Sequence, residues 1–409
     1  MNSGKKTGRG PVFFCYAAPA GFSGQKEATE MVLRGLTARE WDCRRLPQPV
    51  LERGRGGAAV RIKFGLQLLS AWLRSLRMLG APGGSLCVNL GQTRFAFLRD
   101  AVPLFVGRWR FGRARVTVSL HGSLFMNWAD ESWDVRLFVG LLRQAGTITV
   151  LGKRQSDRLI GLGIEAKRIE IVVNSCALPP ISEMQLREKQ AARSRRDKPL
   201  RILHLSSLIA TKGFPEFLEA LETLAGDRAI PAIEAVLCGC VTASEFQERF
   251  RDDAAAEDWI EKRMAAINRS PRVRVRWVRG AVGAEKEQLF RAADIFVLPT
   301  RYAVEAQPLV LLEAMASGCA IVTTAVGEIP TILDGESALF LGAGSTAELA
   351  AALRRLAAAP GTIGRLAEAA HRRFLERYQI TRHLDGWEAR LEPGRATAVS
   401  AGLPALSES

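Results

Sequence analysis

The sequence of 409 residues lacks several features that define large classes of protein. No apolar run approaches the roughly 18 to 20 residues that span a bilayer, which excludes a transmembrane helix. Only four histidines occur, which argues against a histidine-rich metal site. No G-x-G-x-x-G follows a predicted strand, and the D-x-D motif that commonly holds a metal ion against a diphosphate is missing. We therefore expect no catalytic metal and no other cofactor.

The sequence also has no clear disulfide framework and no clear export signal. The seven cysteines, at positions 15, 43, 87, 176, 238, 240 and 319, form no C-x-x-C pair and mostly lie in apolar surroundings. Such a pattern predicts reduced, buried thiols in a cytoplasmic protein. Lys5, Lys6 and Arg9 precede the apolar residues 12–18 as in a signal peptide, but that run is short and contains no leucine. We interpret it as a first β-strand.

Charge is present in quantity and is unevenly distributed. The net charge is +15, yet residues 1–200 contain 33 Lys and Arg against 15 Asp and Glu, a net of +18. Residues 201–409 contain 24 against 27, a net of −3. One half of the chain is therefore strongly basic and the other nearly neutral, which suggests an anionic partner for the first half.

Apolar runs of strand length alternate with helical patterns in both halves, which predicts βαβ units and parallel sheets covered on both faces. The first half has predicted strands at 12–17, 85–90, 116–120, 147–151 and 169–173 and helices at 25–39 and 154–162. The second has strands at 201–205, 233–238, 273–278, 295–298 and 320–323 and helices at 214–225, 285–292, 309–316, 348–358 and 363–377. The expected fold class is α/β, with two Rossmann-like doubly wound domains in tandem.

A polar, charge-dense stretch directly after Pro179 and Pro180 is the best candidate for a domain boundary. We expect an N-terminal domain at 1–181, a basic linker at 182–199 and a C-terminal domain at 200–392. The tail at 393–409, rich in Ala, Ser, Gly and Pro, is expected to be disordered. Two such domains facing each other would form a cleft, with ligands in the loops beyond the carboxyl ends of the strands.

The densest cluster of candidate functional residues lies at 299–318. A predicted strand ends before it, a loop then carries Glu305, Pro308 suits the first turn of a helix, and Gly318 suits its left-handed cap. Glu313 lies about one and a half turns inside that helix. The helix start offers free N–H groups and a positive dipole end that favour a phosphate, and the two carboxylates can accept hydrogen bonds from hydroxyl groups.

These residues resemble the E-x7-E motif of the retaining glycosyltransferases of family 4 (glycosyl transferases group 1), and the resemblance continues through most of the chain in the same order. In the first half, His121-Gly122 follows a predicted strand as the family's histidine does, and residues 172–174 stand where the family has I-P-N-G. In the second half, residues 206–213 stand where the family has G-R-L-x-x-x-K-G, and residues 326–330 where it has V-G-G-x-P. Residues 292–300 match the strand that precedes the family's glutamate loop. The resemblance implies the GT-B fold, with the final helix crossing back to the first domain.

The resemblance also implies a reaction: transfer of a hexosyl group, with retention, from a UDP- or GDP-sugar. The implied catalytic residues are Glu305, His121 and Lys212. Glu313 would hold the ribose, Lys212 the diphosphate, and Glu305 and His121 the sugar. The donor-binding residues expected from the motif and from the glycine-containing loop after the first strand are Glu313, Ser207, Lys212, Gln307, Pro308, Leu309, Gly21 and Gly24.

Two departures from the family pattern concern the donor. Ser207 stands where many members have a phosphate-binding arginine, so one cation is replaced by a hydroxyl group. Ala306-Gln307-Pro308 replaces the common G-F-G, and Pro308 has no N–H to donate to a sugar. These changes affect the identity of the sugar more than the type of reaction.

The basic half has its own pattern. Lys63, Gln67, Ser70, Arg74 and Arg77 follow one another at spacings of 4, 3, 4 and 3, which forms a polar stripe on a helix that also carries Phe64 and Trp72. Residues 108–115 alternate arginines with aromatic residues. A basic amphipathic helix with tryptophan is typical of a membrane-surface contact. It is equally the pattern of a helix packed on a sheet with a solvated basic edge.

The acceptor expected from the charge asymmetry and the family is a glycan or lipid-linked glycan, as in bacterial polysaccharide or lipopolysaccharide assembly at the inner face of the cell membrane. Nucleic acid is not expected, because no recognition motif accompanies the arginines. Two alternatives remain open: a non-catalytic membrane- or glycan-binding protein of the same fold, and a sugar-nucleotide epimerase, which would need no acceptor.

Overall fold

The computed structural model describes residues 9–19, 23–50, 58–193, 198–242 and 246–392. Twelve strands occur in this part of the chain, and all of their pairings are parallel. They are β1 Val12–Ala17, β2 Cys43–Gln48, β3 Ser85–Asn89, β4 Val116–Ser119, β5 Thr147–Val150, β6 Ile169–Ile171, β7 Leu200–Leu205, β8 Ile233–Cys238, β9 Val273–Val278, β10 Ile295–Leu298, β11 Ala320–Thr324 and β12 Leu339–Leu341.

Fourteen α-helices accompany the strands in the described residues. They are α1 Gly24–Ala38, α2 Ala58–Ser75, α3 Arg94–Phe111, α4 Trp133–Leu142, α5 Lys153–Gly161, α6 Glu183–Arg193, α7 Phe214–Ala225, α8 Asp253–Ile267, α9 Gly283–Ala292, α10 Leu309–Ala316, α11 Ile329–Ile332, α12 Thr346–Ala358, α13 Pro360–Arg377 and α14 Ile380–Leu391. A short 3-10 helix, Leu76–Gly80, continues α2. Local signals set several boundaries: α12, for example, starts with a capping box formed by Ser345 and Glu348.

The chain divides into two compact units: unit 1 contains Met1–Ser175 and Ile380–Ser409, and unit 2 contains Cys176–Gln379. The sheet of unit 1 has the strand order β2-β1-β3-β4-β5-β6, and that of unit 2 the order β12-β11-β10-β7-β8-β9. Each is a doubly wound α/β sheet, so the fold class predicted from the sequence is confirmed. The second order is that of the dinucleotide-binding folds, and its direction reverses between β7 and β10.

Each sheet is buried on both faces, which explains its nearly continuous apolar strands. All four residues of β10 are buried, and Ile295 and Val297 belong to the core cluster of unit 2. Unit 1 has a corresponding core around β3 and β4. Most strand and helix positions predicted from apolar periodicity agree with the structure within two residues.

The final helix, α14, packs on unit 1 through a set of specific contacts. Trp41 donates its indole N–H to Glu388 at 2.7 Å, and Arg39 pairs with Asp385 at 2.6 Å and with Glu388 at 2.7 Å. Arg390 pairs with Glu170 at 2.5 Å. These contacts account for the return of α14 to unit 1.

The expectation of a basic linker at 182–199 was wrong for most of that stretch. Residues 183–193 form α6, which buries Leu186 in unit 2 and leaves Lys189 and Arg193 half-buried. Lys189 donates to the carbonyl oxygens of Ala293 and Ser317 at 2.8 Å each, and Arg193 contacts Asp294 at 2.9 Å. Polar composition suggested a linker, but here the charged groups bind carbonyl oxygens and a carboxylate. The units therefore divide at Ser175, not at residue 181.

The expected tail at 393–409 and the loop residue Gly21 lie outside the described residues. In the described part of the chain, no helix is long and apolar enough to cross a membrane. The cysteines are all free thiols; Cys43 is half-buried, Cys240 is exposed, and the other five are buried as predicted.

Candidate functional site

The candidate site of unit 2 lies at the point where the strand order reverses. β7 and β10 are neighbours there, and ligands of doubly wound sheets occupy the crevice at the carboxyl ends of such a pair. The loop after β7 leads to Lys212, and the loop after β10 carries Glu305. The topology therefore brings together two residues that are 93 positions apart in the sequence.

Lys212 and Glu305 form an ion pair with 3.2 Å between Nζ and Oε2. Both side chains are largely buried, and the Lys212 ammonium also lies 4.8 Å from the centroid of the Tyr302 ring. The carboxylate and the aromatic face hold the ammonium in place. An anionic group reaching this crevice would meet a cation that is already positioned.

Two glycines allow the loops around this pair to approach closely. Gly213 has φ +90°, and a Cβ there would lie 2.6 Å from the carbonyl oxygen of Pro299. Gly327 has φ +59°, and a Cβ there would lie 2.2 Å from the carbonyl oxygen of Glu305. Only glycine fits both the backbone conformation and the space at these positions. The neighbouring N–H of Glu328 donates to Ala306 O at 2.9 Å, which fixes the loop further.

The helix after the loop begins at Leu309, as predicted, but Pro308 does not belong to its first turn. Pro308 is the N-cap residue, with an extended backbone, and α10 runs from Leu309, so the proline precedes the first turn. The loop is also held by Arg301, which donates its backbone N–H to Thr211 and pairs through its side chain with Glu216 at 2.8 Å. Gln307 and Pro308 are buried, and Leu309 is half-buried.

Glu313 is buried inside α10, with its side chain 6% exposed. Its Oε1 lies 2.5 Å from Nζ of Lys286, which the start of α9 supplies. Glu313 is therefore not a solvent-exposed charge of the helix. Burial, with the charge of Glu313 as the next cause, raises the pKa of the nearby Cys176 thiol well above its usual value.

Lys286 was missed by sequence reasoning. It contacts Glu313 across 27 residues, and nothing in the local sequence of α9 distinguishes it from a solvated lysine. Tyr302 was missed for a similar reason, because its contact with Lys212 depends on the folded loop. Both contacts depend on the tertiary fold, which local sequence patterns do not reveal.

Two other expected donor residues have less informative surroundings. Ser207 accepts hydrogen bonds through its carbonyl oxygen from the Ser206 hydroxyl and from the backbone of Ile209. Gly24 starts α1 of unit 1, and a Cβ there would meet nothing within 4 Å. Their roles stay predictions.

His121 directly follows β4 in unit 1. The turn after it is fixed by two glutamines, since Gln92 and Gln155 donate their side-chain N–H groups to Gly122 O at 2.8 and 3.0 Å. His121 lines a cavity of about 20 Å³, and its buried Nδ1 has no hydrogen-bond partner among the described residues. Burial lowers the pKa of His121 to about 4, so the imidazole is neutral at pH 7.

His383 of α14 lines the same cavity, accepts a hydrogen bond from the Trp387 indole at 3.2 Å, and also has a pKa lowered to about 4 by burial. The structure thus puts a second histidine beside His121 within unit 1. Among the described residues no group of three or more His, Cys, Asp or Glu side chains could hold a metal ion. The expectation that the reaction needs no metal stays a prediction.

Part of this chain is similar in sequence to known glycosyltransferases. Residues 199–359 match the family model described as "Glycosyl transferases group 1". A D-inositol 3-phosphate glycosyltransferase of Actinosynnema mirum is 39% identical over 88 residues, which are 21% of this chain and 21% of that protein. The match thus spans about one fifth of the relative's length.

Solved structures resemble nearly the whole chain. Anabaena Alr3699/HepE, in complex with UDP, is 16% identical with a TM-score of 0.65, covering 92% of this chain and 98% of that one. The lipopolysaccharide outer core galactosyltransferase WaaB is 13% identical with a TM-score of 0.58, covering 93% and 99%. At these identities the likeness shows the fold, which is that of the GT-B proteins. The family match covers every proposed donor residue of unit 2.

Proposed function

We propose that the protein is a retaining glycosyltransferase that moves a hexosyl group from a UDP- or GDP-sugar to a glycan or lipid-linked glycan. The observation that carries the proposal is the pair of buried carboxylates, Glu305 and Glu313, each held by a lysine at the switch point of unit 2. Buried charges are uncommon unless they have a partner or a task. The match of residues 199–359 to glycosyl transferases group 1 covers both pairs and supports the same function.

In this proposal the start of α10 and Lys212 receive the diphosphate. The first N–H groups of a helix are not used inside it and favour an anion, and Lys212 adds a full positive charge. When the bond between the sugar C1 and the diphosphate oxygen breaks, negative charge grows on the departing nucleotide diphosphate, where the ammonium stabilises it. Ser207 adds a hydroxyl group in place of a second cation.

The carboxylates recognise hydroxyl groups. Glu313 accepts hydrogen bonds from the ribose and Glu305 from the hexose, and the lysine partners orient both carboxylates. The acceptor oxygen attacks C1 on the face that the diphosphate leaves, and the acceptor proton passes to the leaving phosphate oxygen. This same-face course, implied by the resemblance to family 4, yields retention and needs no separate base. The expected contact of His121 with the donor stays a prediction.

The acceptor is inferred from the charge of the first half of the chain and from the fold. The basic first half of the chain suits an anionic or lipid-linked acceptor, and WaaB, whose name specifies lipopolysaccharide outer core, shares the fold. On this ground we place the protein in bacterial polysaccharide or lipopolysaccharide assembly on the cytoplasmic side of the membrane. We expect Ala306, Gln307 and Pro308 to make the choice of donor sugar differ from that of the relatives.

The direct test incubates the protein with UDP- and GDP-hexoses and a membrane glycolipid extract. We expect a glycoside whose anomeric proton coupling, measured by NMR, shows the configuration of the donor. An inverted product would contradict retention, and conversion of the donor without any acceptor would identify an epimerase. Consumption of no nucleotide sugar, together with glycolipid binding that survives Glu313→Gln, would identify a non-catalytic binding protein.

A further inference from the structure

The surface formed by α2, its 3-10 continuation and α3 exposes an unusual number of large apolar side chains. α2 buries one stripe, Phe64, Leu68 and Ala71, against unit 1. A second stripe, displaced around the helix, faces solvent. Its members repeat at spacings of 4, 3, 4 and 3: Ile62, Leu66, Leu69, Leu73 and Leu76. A helix that only covers a sheet needs one apolar stripe, so the second requires another explanation.

α3 extends the same surface. It exposes Phe95, Leu98, Phe105 and Trp109, the last with 78% of its surface accessible. Three contacts join the two helices: the Phe64 and Phe95 rings lie 5.1 Å apart, the Trp72 indole N–H donates to Arg99 O at 3.0 Å, and Arg110 donates to Leu79 O at 2.9 Å. These contacts hold the two helices together, and the exposed apolar side chains that both carry are called the apolar patch.

α2, its 3-10 continuation and α3 carry accessible charge of one sign, and the acidic Asp134 of α4 pairs with Arg94 at 2.7 Å. Residues 58–115 contain ten Lys and Arg and one acidic residue, Asp100. Asp100 is fully buried and paired with Arg99 at 2.7 Å, so it contributes no accessible negative charge. Exposed cations such as Lys63 and Arg77 border the apolar stripe directly. The combination of leucines, an exposed tryptophan and a predominantly basic border is complementary to an anionic lipid surface.

We propose that the α2–α3 surface docks unit 1 onto an anionic membrane, with the leucine stripe and Trp109 entering the boundary between headgroups and acyl chains. Lys63 and Arg77 lie at the level of the phosphates. Of the two interpretations that the sequence left open, the exposed leucines favour membrane contact, because a helix that only covers the sheet would not leave them in water. The proposal is independent of the donor site of unit 2.

The test is co-sedimentation of the full chain with vesicles of phosphatidylcholine alone or with one quarter phosphatidylglycerol. We expect binding to the anionic vesicles and at least about tenfold weaker partitioning for Leu66→Gln/Leu73→Gln, because two inserted side chains are lost. Lys63→Gln/Arg77→Gln should also weaken binding about tenfold, and only this electrostatic part should decrease in high salt.

Matched controls lie elsewhere on the chain. Met184→Gln removes an exposed apolar residue of α6, and Arg355→Gln/Arg372→Gln removes two exposed cations of unit 2; all should bind vesicles like the unaltered protein. Equal binding of the Leu66→Gln/Leu73→Gln variant would overturn the proposal. So would a dimer in lipid-free solution, measured by light scattering, that this variant abolishes, because the patch would then be an interface between copies. No nucleotide sugar is present, so the result does not depend on the proposed function.

Discussion

The loop and helix at residues 299–316 and the α2–α3 surface depart from ordinary burial in opposite ways. In unit 2, the carboxylates Glu305 and Glu313 are buried with their lysine partners. In unit 1, leucines and a tryptophan lie in solvent. Folding alone favours neither arrangement, since charged groups lose hydration on burial and apolar groups gain nothing from exposure. Both regions therefore indicate ligands: a polar, anionic one for the first and an amphipathic surface for the second.

The largest expected effect concerns the buried pair of unit 2. Glu313→Ala leaves the Lys286 ammonium buried without its carboxylate, and we expect a loss of about 3 to 5 kcal/mol in the free energy of unfolding. Denaturant titration measures this loss. In the variant Glu313→Ala/Lys286→Met most of the stability should return, because no uncompensated charge remains. If the single and double variants are equally destabilised, the pair does not hold the region as described.

The second prediction concerns catalysis at the same region. Lys212→Ala should lower the rate of sugar transfer by roughly 10² to 10³, because a positioned cation is lost where negative charge develops. Lys262→Ala, which removes an exposed lysine paired with Asp258 on α8, is the matched control and should leave the rate unchanged. A loss smaller than about tenfold in Lys212→Ala would remove this residue from the proposed diphosphate site.

The third prediction concerns the conformation of the loop that carries Glu305, which a substitution at Gly327 should disturb. In Gly327→Ala the new Cβ would meet the carbonyl oxygen of Glu305, in a backbone conformation that alanine rarely adopts. We expect a loss of roughly 1 to 3 kcal/mol in unfolding free energy and weaker donor binding. Gly335→Ala, where a Cβ meets nothing within 4 Å, should change neither quantity measurably. Normal donor affinity in Gly327→Ala would show that the position of Glu305 matters little.

Acid should destabilise both units through their histidines. Burial lowers the pKa of all four, His121, His204, His371 and His383, below the ordinary value of 6.5. Between that value and about 4, the unfolded chain binds protons that the folded chain does not, so stability falls as the pH falls. Each histidine contributes up to about 1.4 kcal/mol per pH unit. Urea unfolding at pH 7, 6 and 5 measures the trend; constant stability across this range would contradict it.

The smallest effect is expected on the exposed stripe of α2. Leu66→Gln replaces a side chain that is 64% exposed, and we expect the unfolding free energy to change by less than about 0.5 kcal/mol. Phe64→Ala, two residues earlier on the buried stripe, should cost several times more. A large loss of unfolding free energy in Leu66→Gln would mean that this side chain belongs to the core. The contrast between the α2–α3 surface and the site of unit 2 would then disappear.

Much of the fold follows from the sequence because its signals are local. The helix at 309–316 and the strands at 233–238, 273–278 and 295–298 have the predicted bounds, because the apolar pattern of each segment is local to it. β2 was missed because Arg44, Arg45 and Pro47 are not typical of a buried strand. It lies at the edge of its sheet, where polar residues and a proline are tolerated.

The site was predictable only in part, because motifs are local but contacts between distant segments are not. The positions of Lys212, Glu305 and Glu313 follow from motifs, but the ion partner Lys286 depends on which strands are neighbours. The face of α2 was ambiguous because apolar residues lie on more than one side of that helix. Only packing reveals that Phe64 and Leu68 are covered while Leu66 and Leu69 are not.

The central claim, that unit 2 holds a nucleotide sugar through Lys212, Glu305 and Glu313, is tested most directly by thermal unfolding with UDP and GDP. At about 100 times its Kd, the cognate nucleotide should stabilise the protein by roughly 2.7 kcal/mol. Lys212→Ala should lose most of this stabilisation, and Lys262→Ala should retain it. If neither nucleotide raises the unfolding temperature, or if Lys212→Ala responds like the unaltered protein, the account of this site is contradicted.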